Sequence, residues 1–466
     1  MYSFPTLTSV RRLMKAGCCV ALALGSASSS AATFENKTKR WCGQESFGGS
    51  STVAFGDYNG DGFVDLATDD DGWTNVGGKR FEARGPRGAI AWADINNDGH
   101  LDYAVVHGPG SHFLGDGKGG FERVTSPAPL AGDCLAVAWG DINNDGLLDI
   151  YYGNGFGNRD SLWRQDPQHE QKWVQVGQIP NAYCRSVVGC DFDEDHDMDF
   201  YASNYWVTRN YLWVSNGKGG GSIDSEHSLV IGGSGRSIGS CWGDLDNDGY
   251  FDLFATNFVQ PGYSRSHFLR NLGPRGGYTF EGLGSRGVTY QEFYASPTAG
   301  DYDNDGDLDL FVSTVSGGNP PRLYRNDGNW IFTDVARAEG IPWQEGSYQA
   351  AWGDVDNDGD LDLVTQGMLL INNGNDHHWL KIRLQGDGKT VNSSAIGAKV
   401  RIKLGDKTLT RQVEGGGVGQ GNQNDLTLHF GLGDHANEVQ FEITWTNGKK
   451  QTGKTGVDRT IRVDME

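Results

Sequence analysis

The sequence predicts an all-β chain, a seven-bladed β-propeller followed by a small antiparallel β-sandwich-like domain. Three observations predict this fold. A nine-residue acidic phrase occurs seven times, and 70 of the 466 residues are glycine, as in turn-rich β proteins. Short β-branched and aromatic runs flank the copies of the phrase and indicate strands. Copies that recur every 37 to 57 residues indicate a repeat architecture.

The N-terminal residues 1–32 have the pattern of a secretory signal peptide. Arg11, Arg12 and Lys15 precede a short apolar core at residues 16–24, and small residues around 30–32 offer a cleavage site. The core is too short for a transmembrane helix. The sequence therefore predicts a secreted protein, extracellular or periplasmic, without a transmembrane segment.

The seven phrases have the outline D-x-[DN]-x-D-G-x-x-D, and we number them loops 1 to 7 in chain order. Oxygen side chains at positions 1, 3, 5 and 9 surround one tight turn, and Ca²⁺ prefers such hard oxygen ligands. Without a cation the carboxylates would repel one another. We therefore predict up to seven Ca²⁺ ions, with these ligands: Asp57, Asn59, Asp61 and Asp65; Asp94, Asn96, Asp98 and Asp102; Asp141, Asn143, Asp145 and Asp149; Asp191, Asp193, Asp195 and Asp199; Asp244, Asp246, Asp248 and Asp252; Asp301, Asp303, Asp305 and Asp309; Asp354, Asp356, Asp358 and Asp362.

The loops differ in charge. Loops 5, 6 and 7 have aspartate at all four ligand positions, whereas loops 1, 2 and 3 have asparagine at position 3. One charge less predicts weaker calcium binding in loops 1 to 3. Loop 4 has His196 where the other loops have glycine, so a residue with a side chain must accept an awkward backbone conformation there.

These loops are not EF-hands, which need a bidentate glutamate at position 12 and two flanking helices. Position 12 is Thr, Val, Tyr or Ala in every copy. A turn that only makes a hairpin soluble would need one or two polar residues, not four at fixed offsets.

Each repeat contains about four predicted strands. In the sixth repeat they are Pro297–Gly300, Leu308–Thr314, Arg322–Arg325 and Trp330–Val335. Fourth strands are predicted near Phe81, Phe121, Trp173, Ile223, Phe280 and Phe332. The seventh repeat lacks one, and we expect residues 33–39 to supply it and close the ring, which removes most exposed sheet edges. The predicted domains are the propeller at 33–375 and the tail at 376–466.

Tryptophan and cysteine recur at fixed offsets from the loops. Trp92, Trp139, Trp242 and Trp352 each stand two residues before a loop, which indicates inter-blade core rather than sugar-stacking platforms. Cys134 and Cys184 occupy equivalent places before their loops, so they form either a disulfide or two small buried thiols.

The tail breaks the repeat after residue 375. Strands are predicted at Trp379–Leu384, Ala398–Leu404, Thr408–Val413, Leu426–Phe430, Val439–Thr446 and Lys449–Thr452. Asn447-Gly448 is a hairpin turn signal.

The loops with their flanking strands resemble FG-GAP/VCBS repeats, the calcium-binding blades of integrin-type propellers. The tail runs His378-Trp-Leu-Lys, Ser394-Ala-Ile-Gly and Leu428-His-Phe-Gly resemble the ASPIC/UnbV domain, and the combination is similar to the cartilage acidic protein family with its bacterial members. The resemblance implies ligands at positions 1, 3, 5 and 9 with a backbone carbonyl at position 7. The tail departs from the family at residues 418–423, Val-Gly-Gln-Gly-Asn-Gln.

The sequence predicts a binding or adhesion module for an extracellular protein or polysaccharide, and not an enzyme. It has no HExxH, P-loop or dinucleotide motif, and the G-x-S-x-G match at 235–239 precedes a propeller strand instead of forming a nucleophile elbow. A formal net charge of −21 disfavours nucleic acid. Of the 60 acidic residues, 29 lie in the seven loops, so much of this charge belongs to the predicted ligands. The alternatives are a polysaccharide lyase or hydrolase and a biosynthetic accessory protein.

Overall fold

The computed structural model describes most of the chain from residue 33 onward. The described residues are 33–49, 51–106, 111–125, 134–155, 157–169, 172–179, 183–206, 209–224, 236–258, 265–289, 291, 293–315, 318–343, 346–416 and 421–466. The predicted signal peptide and part of the tail segment 418–423 lie outside these residues. None of the described helices has the length and apolar character needed to cross a membrane.

The repeats form seven four-stranded antiparallel sheets, which we call blades 1 to 7. Each blade has an inner, second, third and outer strand in hydrogen-bonded order. Their bounds are Val53–Gly56, Asp65–Thr68, Gly72–Asn75 and Phe81–Ala83; Ile90–Ala93, Asp102–Val105, Ser111–Gly115 and Phe121–Thr125; Cys134–Gly140, Asp149–Asn154, Asp160–Gln165 and Trp173–Ile179; Cys184–Cys190, Asp199–Asn204, Tyr211–Ser215 and Gly221–Ile223; Arg236–Gly243, Asp252–Phe258, His267–Asn271 and Phe280–Gly284; Tyr294–Gly300, Asp309–Thr314, Arg322–Asn326 and Phe332–Asp334; Ala351–Gly353, Asp362–Thr365, Met368–Asn372 and Phe34–Asn36.

The last blade takes its outer strand from the beginning of the described chain. Phe34–Asn36 pairs antiparallel with Met368–Asn372, as expected from the missing fourth strand of the seventh repeat. A short helix, Thr38–Cys42, follows this strand, and a 3-10 turn, Pro274–Gly276, lies in blade 5. The inner strands of neighbouring blades contact one another in a closed circuit that returns from blade 7 to blade 1. The prediction of a propeller is confirmed.

The four equivalent tryptophans lie in the core between blades, as predicted. Each is less than 10 % exposed. The indole N–H of Trp139 donates to the carbonyl of Ala91, and that of Trp352 donates to the carbonyl of Thr298, in both cases on the inner strand of the preceding blade. Trp139 and Trp352 therefore join adjacent blades by apolar packing and by a hydrogen bond.

The two equivalent cysteines are thiols, so the disulfide alternative is wrong. Cys134 Sγ donates to the carbonyl of Ala136 at 3.3 Å, and Cys184 Sγ donates to that of Ser186 at 3.3 Å. A β-bulge follows each cysteine, since the pairing register shifts there in blades 3 and 4. Each thiol therefore bonds within its own strand, and burial raises the pKa of both.

The tail forms two further sheets. Its strands are His378–Gln385, Lys399–Leu404, Lys407–Gln412, Leu428–Gly433, Val439–Thr444, Lys450–Thr455 and Arg459–Asp464. The predicted antiparallel arrangement is wrong for one pair, because Leu380–Gln385 and Arg459–Asp464 run parallel. The sequence analysis missed this last strand. The tail and the propeller belong to one compact unit, residues 33–466.

Candidate metal sites and the domain that covers them

All seven loops lie on the same face of the propeller. Each loop begins one residue after an inner strand ends, and its position 9 is the first residue of the second strand. In blade 6, for example, the inner strand ends at Gly300, loop 6 begins at Asp301, and Asp309 opens the second strand. Because inner strands run in the same sense around the ring, the loops gather at one end of the channel.

The first carboxylate organises the turn in the six loops that have the motif glycine. In loop 7, Asp354 Oδ1 accepts the N–H of Asp358 at 3.1 Å and its Oδ2 accepts the N–H of Gly359 at 3.0 Å. Gly359 has φ of 96°, a conformation that favours glycine. The glycine of the motif therefore lets two backbone N–H groups turn towards position 1.

The position 9 carboxylate has a second structural role. In loop 6, Asp309 accepts the N–H of Tyr302 at 3.2 Å and the N–H of Asn326, on the third strand, at 2.8 Å. The same bond from the third strand occurs in all seven blades. Burial, followed by the charges of Asp303 and Asp301, raises the pKa of Asp309 well above its usual value. A divalent cation beside these groups would oppose that rise.

Four loops bring three carboxylates together. One ligand oxygen from each member lies within 4.8 Å of the others in these sets: Asp191, Asp193 and Asp195; Asp244, Asp246 and Asp248; Asp301, Asp303 and Asp309; Asp354, Asp356 and Asp362. In loops 1 to 3, which the structure describes in full, position 3 is asparagine and no set of three carboxylates meets this distance. Among the seven loops, sets of three carboxylates therefore occur in loops 4 to 7.

Several buried oxygens in the loops have no hydrogen-bond partner within the part of the chain that the structure describes. They include one position 3 oxygen in each of four loops, namely Oδ1 of Asn143, Asp246, Asp303 and Asp356. A buried oxygen without a donor is costly, and it is expected where an ion supplies the missing contact. Carboxylate and amide oxygens are also the ligands that Ca²⁺ prefers. The residues present in the loops therefore fit this ion.

Two loops depart from the common pattern. In loop 5, the Arg270 guanidinium lies 2.8 Å from Asp246 and 3.2 Å from Asp248, so one cation of the chain already faces positions 3 and 5. In loop 4, His196 adopts φ of 78°, which confirms the awkward backbone predicted at this position. In both loops position 9, Asp199 or Asp252, lies outside the set of three carboxylates.

Asparagines at position 4 connect neighbouring loops, and the sequence analysis missed them. Asn97, Asn144, Asn247, Asn304 and Asn357 all adopt φ between 56° and 59°. Each side-chain amide donates to position 6 or position 7 of the next loop, as Asn357 Nδ2 does to the carbonyl of Gly62 at 2.9 Å. Five asparagines at one offset were the available signal.

A second set of missed side chains joins neighbouring blades at the end of the third strand. Asn372 Nδ2 donates to the carbonyl of Tyr302 in blade 6 and to that of Leu361 in its own blade. Asn75, Asn271 and Asn326 make the equivalent pair of bonds. Asn75 and Asn372 stand 18 residues after their loops begin, but Asn271 and Asn326 stand 27 and 25 residues after theirs, so spacing alone did not reveal the set.

The tail lies across the face that carries the loops. Lys399 Nζ donates to Asp191 Oδ2 at 2.8 Å and Lys381 Nζ donates to Asp354 Oδ2 at 2.7 Å, with every partner at most 5 % exposed. The backbone N–H of Thr410 donates to Asp244 at 3.1 Å. The backbone N–H of Gly431 donates to Asp301 at 3.1 Å. The tail therefore gives one donor to position 1 of each of loops 4 to 7.

A tail segment also enters the channel of the propeller. Gln423 exchanges backbone hydrogen bonds with Val53 and Phe55 of blade 1, and its side-chain oxygen accepts the N–H of Trp92 in blade 2. Asn424 accepts the N–H of Trp352 in blade 7 at 2.9 Å. These three blades are therefore held by one extended segment, which closes the channel from the loop side.

The interface between the tail and blades 4 to 7 contains a cavity of about 100 Å³. Its walls include Arg411, His429 and Glu414 together with apolar side chains such as Trp352. Burial raises the pKa of Glu414 to about 7 and lowers that of His429 to about 3, so the imidazole is neutral at ordinary pH. The cavity therefore places buried ionisable groups beside apolar side chains.

Two families match this chain. Residues 94–152, 191–255 and 301–365 match the FG-GAP-like repeat, and residues 388–465 match ASPIC and UnbV. The chain combines FG-GAP-like repeats with an ASPIC and UnbV domain. The matched repeats contain loops 2 to 7, so loop 1 lies outside them.

The chain is also weakly similar to cartilage acidic protein 1. The mouse protein (Mus musculus) is 23 % identical over 292 residues, which cover 59 % of this chain and 42 % of that protein. The human protein (Homo sapiens) is 22 % identical over 263 residues, with 52 % and 37 % covered. The matched region is therefore less than half of either relative.

The chain is also similar to solved structures, at low identity and low TM-score. The rhamnogalacturonan lyase YesW is 13 % identical, with a TM-score of 0.39 and with 70 % of this chain and 71 % of that chain covered. BBS1N, solved in complex with ARL6DN, is 11 % identical, with a TM-score of 0.43 and with 74 % and 98 % covered. Similarity at this level concerns the arrangement of strands, not ligand or activity.

Proposed function

We propose that this chain is an exported, calcium-stabilised binding module whose propeller presents a surface to an extracellular polysaccharide or protein. The observation that carries the calcium part is the set of buried position 3 oxygens without a hydrogen-bond donor, in loops 3, 5, 6 and 7. In loops 5 to 7 these residues belong to the sets of three carboxylates. The loop side chains at positions 1, 3, 5 and 9 would hold the ion.

Bound calcium would neutralise charge that the fold concentrates at one end of the ring. Its role in this proposal is structural, since each ion would join the inner strand of a blade to its second strand. An ion that binds only the folded state at 100 times its dissociation constant adds about 2.7 kcal/mol per site to the free energy of unfolding. Several such sites would make the fold depend on calcium.

The test is calorimetric titration of the stripped mature protein with Ca²⁺, followed by thermal melts in Ca²⁺, Mg²⁺ and chelator. We expect stoichiometric heat with Ca²⁺ and a melting temperature that falls sharply in chelator. Asp356→Ala should remove one site, because it deletes a ligand oxygen that has no hydrogen-bond donor among the described residues. Asp376→Ala, at an exposed acid outside the loops, is the matched control. Equal melts in calcium and chelator, with no bound calcium on metal analysis, would overturn the proposal.

A further inference from the structure

The face opposite the loops carries an aromatic cup. Arg236 begins the inner strand of blade 5, and Phe258 ends the second strand of the same blade. Tyr205 follows the second strand of blade 4, and Phe293 precedes the inner strand of blade 6. Loops 4 to 6 join the other ends of these strands. The cup therefore surrounds the mouth of the channel that the tail leaves free.

The rings of the cup form a connected wall. Tyr205 lies 5.6 Å from Phe258 between ring centroids, and Phe258 lies 5.1 Å from Phe293. Tyr348 of blade 7 packs against the same apolar cluster. Beneath it, the tail residue Asn422 donates to the carbonyl of Tyr348 at 2.8 Å. The plugged channel therefore gives the cup a polar floor.

Arg236 is the unusual member of the cup. Its guanidinium lies 5.6 Å from the ring centroids of both Tyr205 and Trp206, and its Nε is buried without a hydrogen-bond partner. It forms no ion pair among the described residues, although the chain has a formal net charge of −21. A guanidinium held against aromatic rings keeps its fork of N–H donors available for a carboxylate.

Trp206 provides an exposed surface beside this guanidinium. Its side chain is 57 % exposed, and its backbone has φ of 67°. An exposed tryptophan in a left-handed conformation is disfavoured on both counts, and such strain often accompanies a functional site. The energetic cost of this exposed, left-handed conformation points to a function for Trp206, namely contact between its indole face and a ligand.

We propose that the cup binds an acidic polysaccharide, with the carboxylate of a uronic acid residue on Arg236 and the face of a sugar ring on Trp206. This proposal rests on the proposed function and names the ligand class. Charge complementarity favours an anion, since Arg185 also lies over the Tyr205 ring at 5.3 Å. The flat indole favours a sugar ring, which presents a broad apolar C–H face, over an acidic peptide side chain.

The experiment measures binding of the calcium-loaded mature protein to three probes. They are oligogalacturonate, its fully methyl-esterified form and polyglutamate, titrated calorimetrically. We expect saturable binding of oligogalacturonate, at least tenfold weaker binding of the neutral ester, and no saturable binding of polyglutamate. Polyglutamate that bound as tightly as oligogalacturonate would overturn the assignment in favour of an acidic peptide.

Variants then test the two named side chains. Arg236→Gln should weaken oligogalacturonate binding roughly 10- to 100-fold, as for loss of a charge-assisted hydrogen bond, and leave binding of the methyl ester unchanged. Trp206→Ala should weaken both, and Trp206→Phe should restore most of the affinity. Arg462→Gln, an exposed arginine in the tail, is the matched control. Unchanged affinity in Arg236→Gln would overturn the proposal.

Calcium-dependent melting of each variant separates the two proposals. One outcome is that the wild-type protein binds calcium and has a higher melting temperature with it, yet shows no binding of oligogalacturonate. That result would refute the proposed binding site in the cup and leave the calcium proposal standing. Binding of oligogalacturonate with no effect of calcium on the melt refutes the calcium proposal alone.

Discussion

Loops 1 to 3 and loops 4 to 7 share a motif, but they differ in charge and in whether the tail donates a hydrogen bond to their first carboxylate. The first three carry asparagine at position 3, and no donor from the tail reaches their position 1 carboxylates among the hydrogen bonds and ion pairs of the described residues. The last four carry aspartate there, and each receives a tail donor at position 1. The half of the ring with more negative charge is therefore the half that the tail partly neutralises.

This difference indicates which loop oxygens the tail satisfies and which oxygens it leaves for an ion. A lysine or a backbone N–H satisfies one oxygen of position 1, whereas one oxygen of position 3, Oδ1, in each of loops 5 to 7 lacks a donor among the described residues. Under the proposed function, the tail would therefore complement an ion in these loops and would not replace it. In loops 1 to 3 calcium would be the main source of positive charge.

The largest expected effect is that of pH on protein stripped of divalent ions. Burial raises the pKa of Asp65 to about 8, of Asp102 to about 7 and of Asp244 to about 8. An acid with a higher pKa in the folded state binds a proton on folding, so stability falls as pH rises between the two values. We expect the stripped protein to melt at a higher temperature at pH 5.5 than at pH 8.

Calcium-loaded protein is the control for this prediction. Bound calcium favours the ionised carboxylates in the folded state, so the trend with pH should vanish or reverse. The same acid stabilisation with and without calcium would mean that the loops do not hold the ion.

The next effect comes from removing a tail lysine. Lys399 and Asp191 are at most 4 % exposed, and loss of one partner of such a buried pair costs about 3–5 kcal/mol. Lys399→Met should therefore lower the free energy of unfolding in urea by that amount. Lys403→Met, an exposed lysine on the same strand, should have no effect. Equal stability of the two variants would show that the tail does not secure loop 4.

A pair of exchanges at position 3 tests the charge difference directly. Asp303→Asn gives loop 6 the composition of the early loops, and Asn143→Asp does the reverse in loop 3. One unit of ligand charge should change the calcium affinity of that loop roughly tenfold, which is about 1.4 kcal/mol. Calorimetric titration should show the two changes with opposite sign. If neither affinity moves, ligand charge does not distinguish the two halves.

The smallest expected effect is at the one loop without the motif glycine. His196 holds φ of 78°, and a non-glycine residue in such a conformation costs about 1 kcal/mol or more. His196→Gly should raise the free energy of unfolding by about 1 kcal/mol in urea. The imidazole lies close to Gly448 in the tail, so a loss of stability would mean that this packing outweighs the strain. Asn97→Gly is the control, and it should destabilise, because Asn97 donates to the carbonyl of Gly146.

The repeat itself was enough to predict the ring, because local chemistry determines each part of it. Hydrophobic runs on both sides of an acidic turn specify a hairpin, and the absence of a fourth strand after Ile371 pointed to its replacement at Phe34. The left-handed backbone at position 6 favours glycine. The exception at His196 could therefore be recognised from the sequence. The buried tryptophans followed from their constant offset.

Only the tertiary structure decided where the tail lies and which loops it covers. The partners Lys399 and Asp191 stand 208 residues apart in the sequence. Their contact forms only when the folded tail packs against the folded propeller. No regular spacing in the sequence predicts these contacts between the tail and the propeller. The aromatic cup is likewise assembled from the strand ends of blades 4 to 7. Periodic local patterns thus determine the blades, whereas long-range packing determines which side chains share a site.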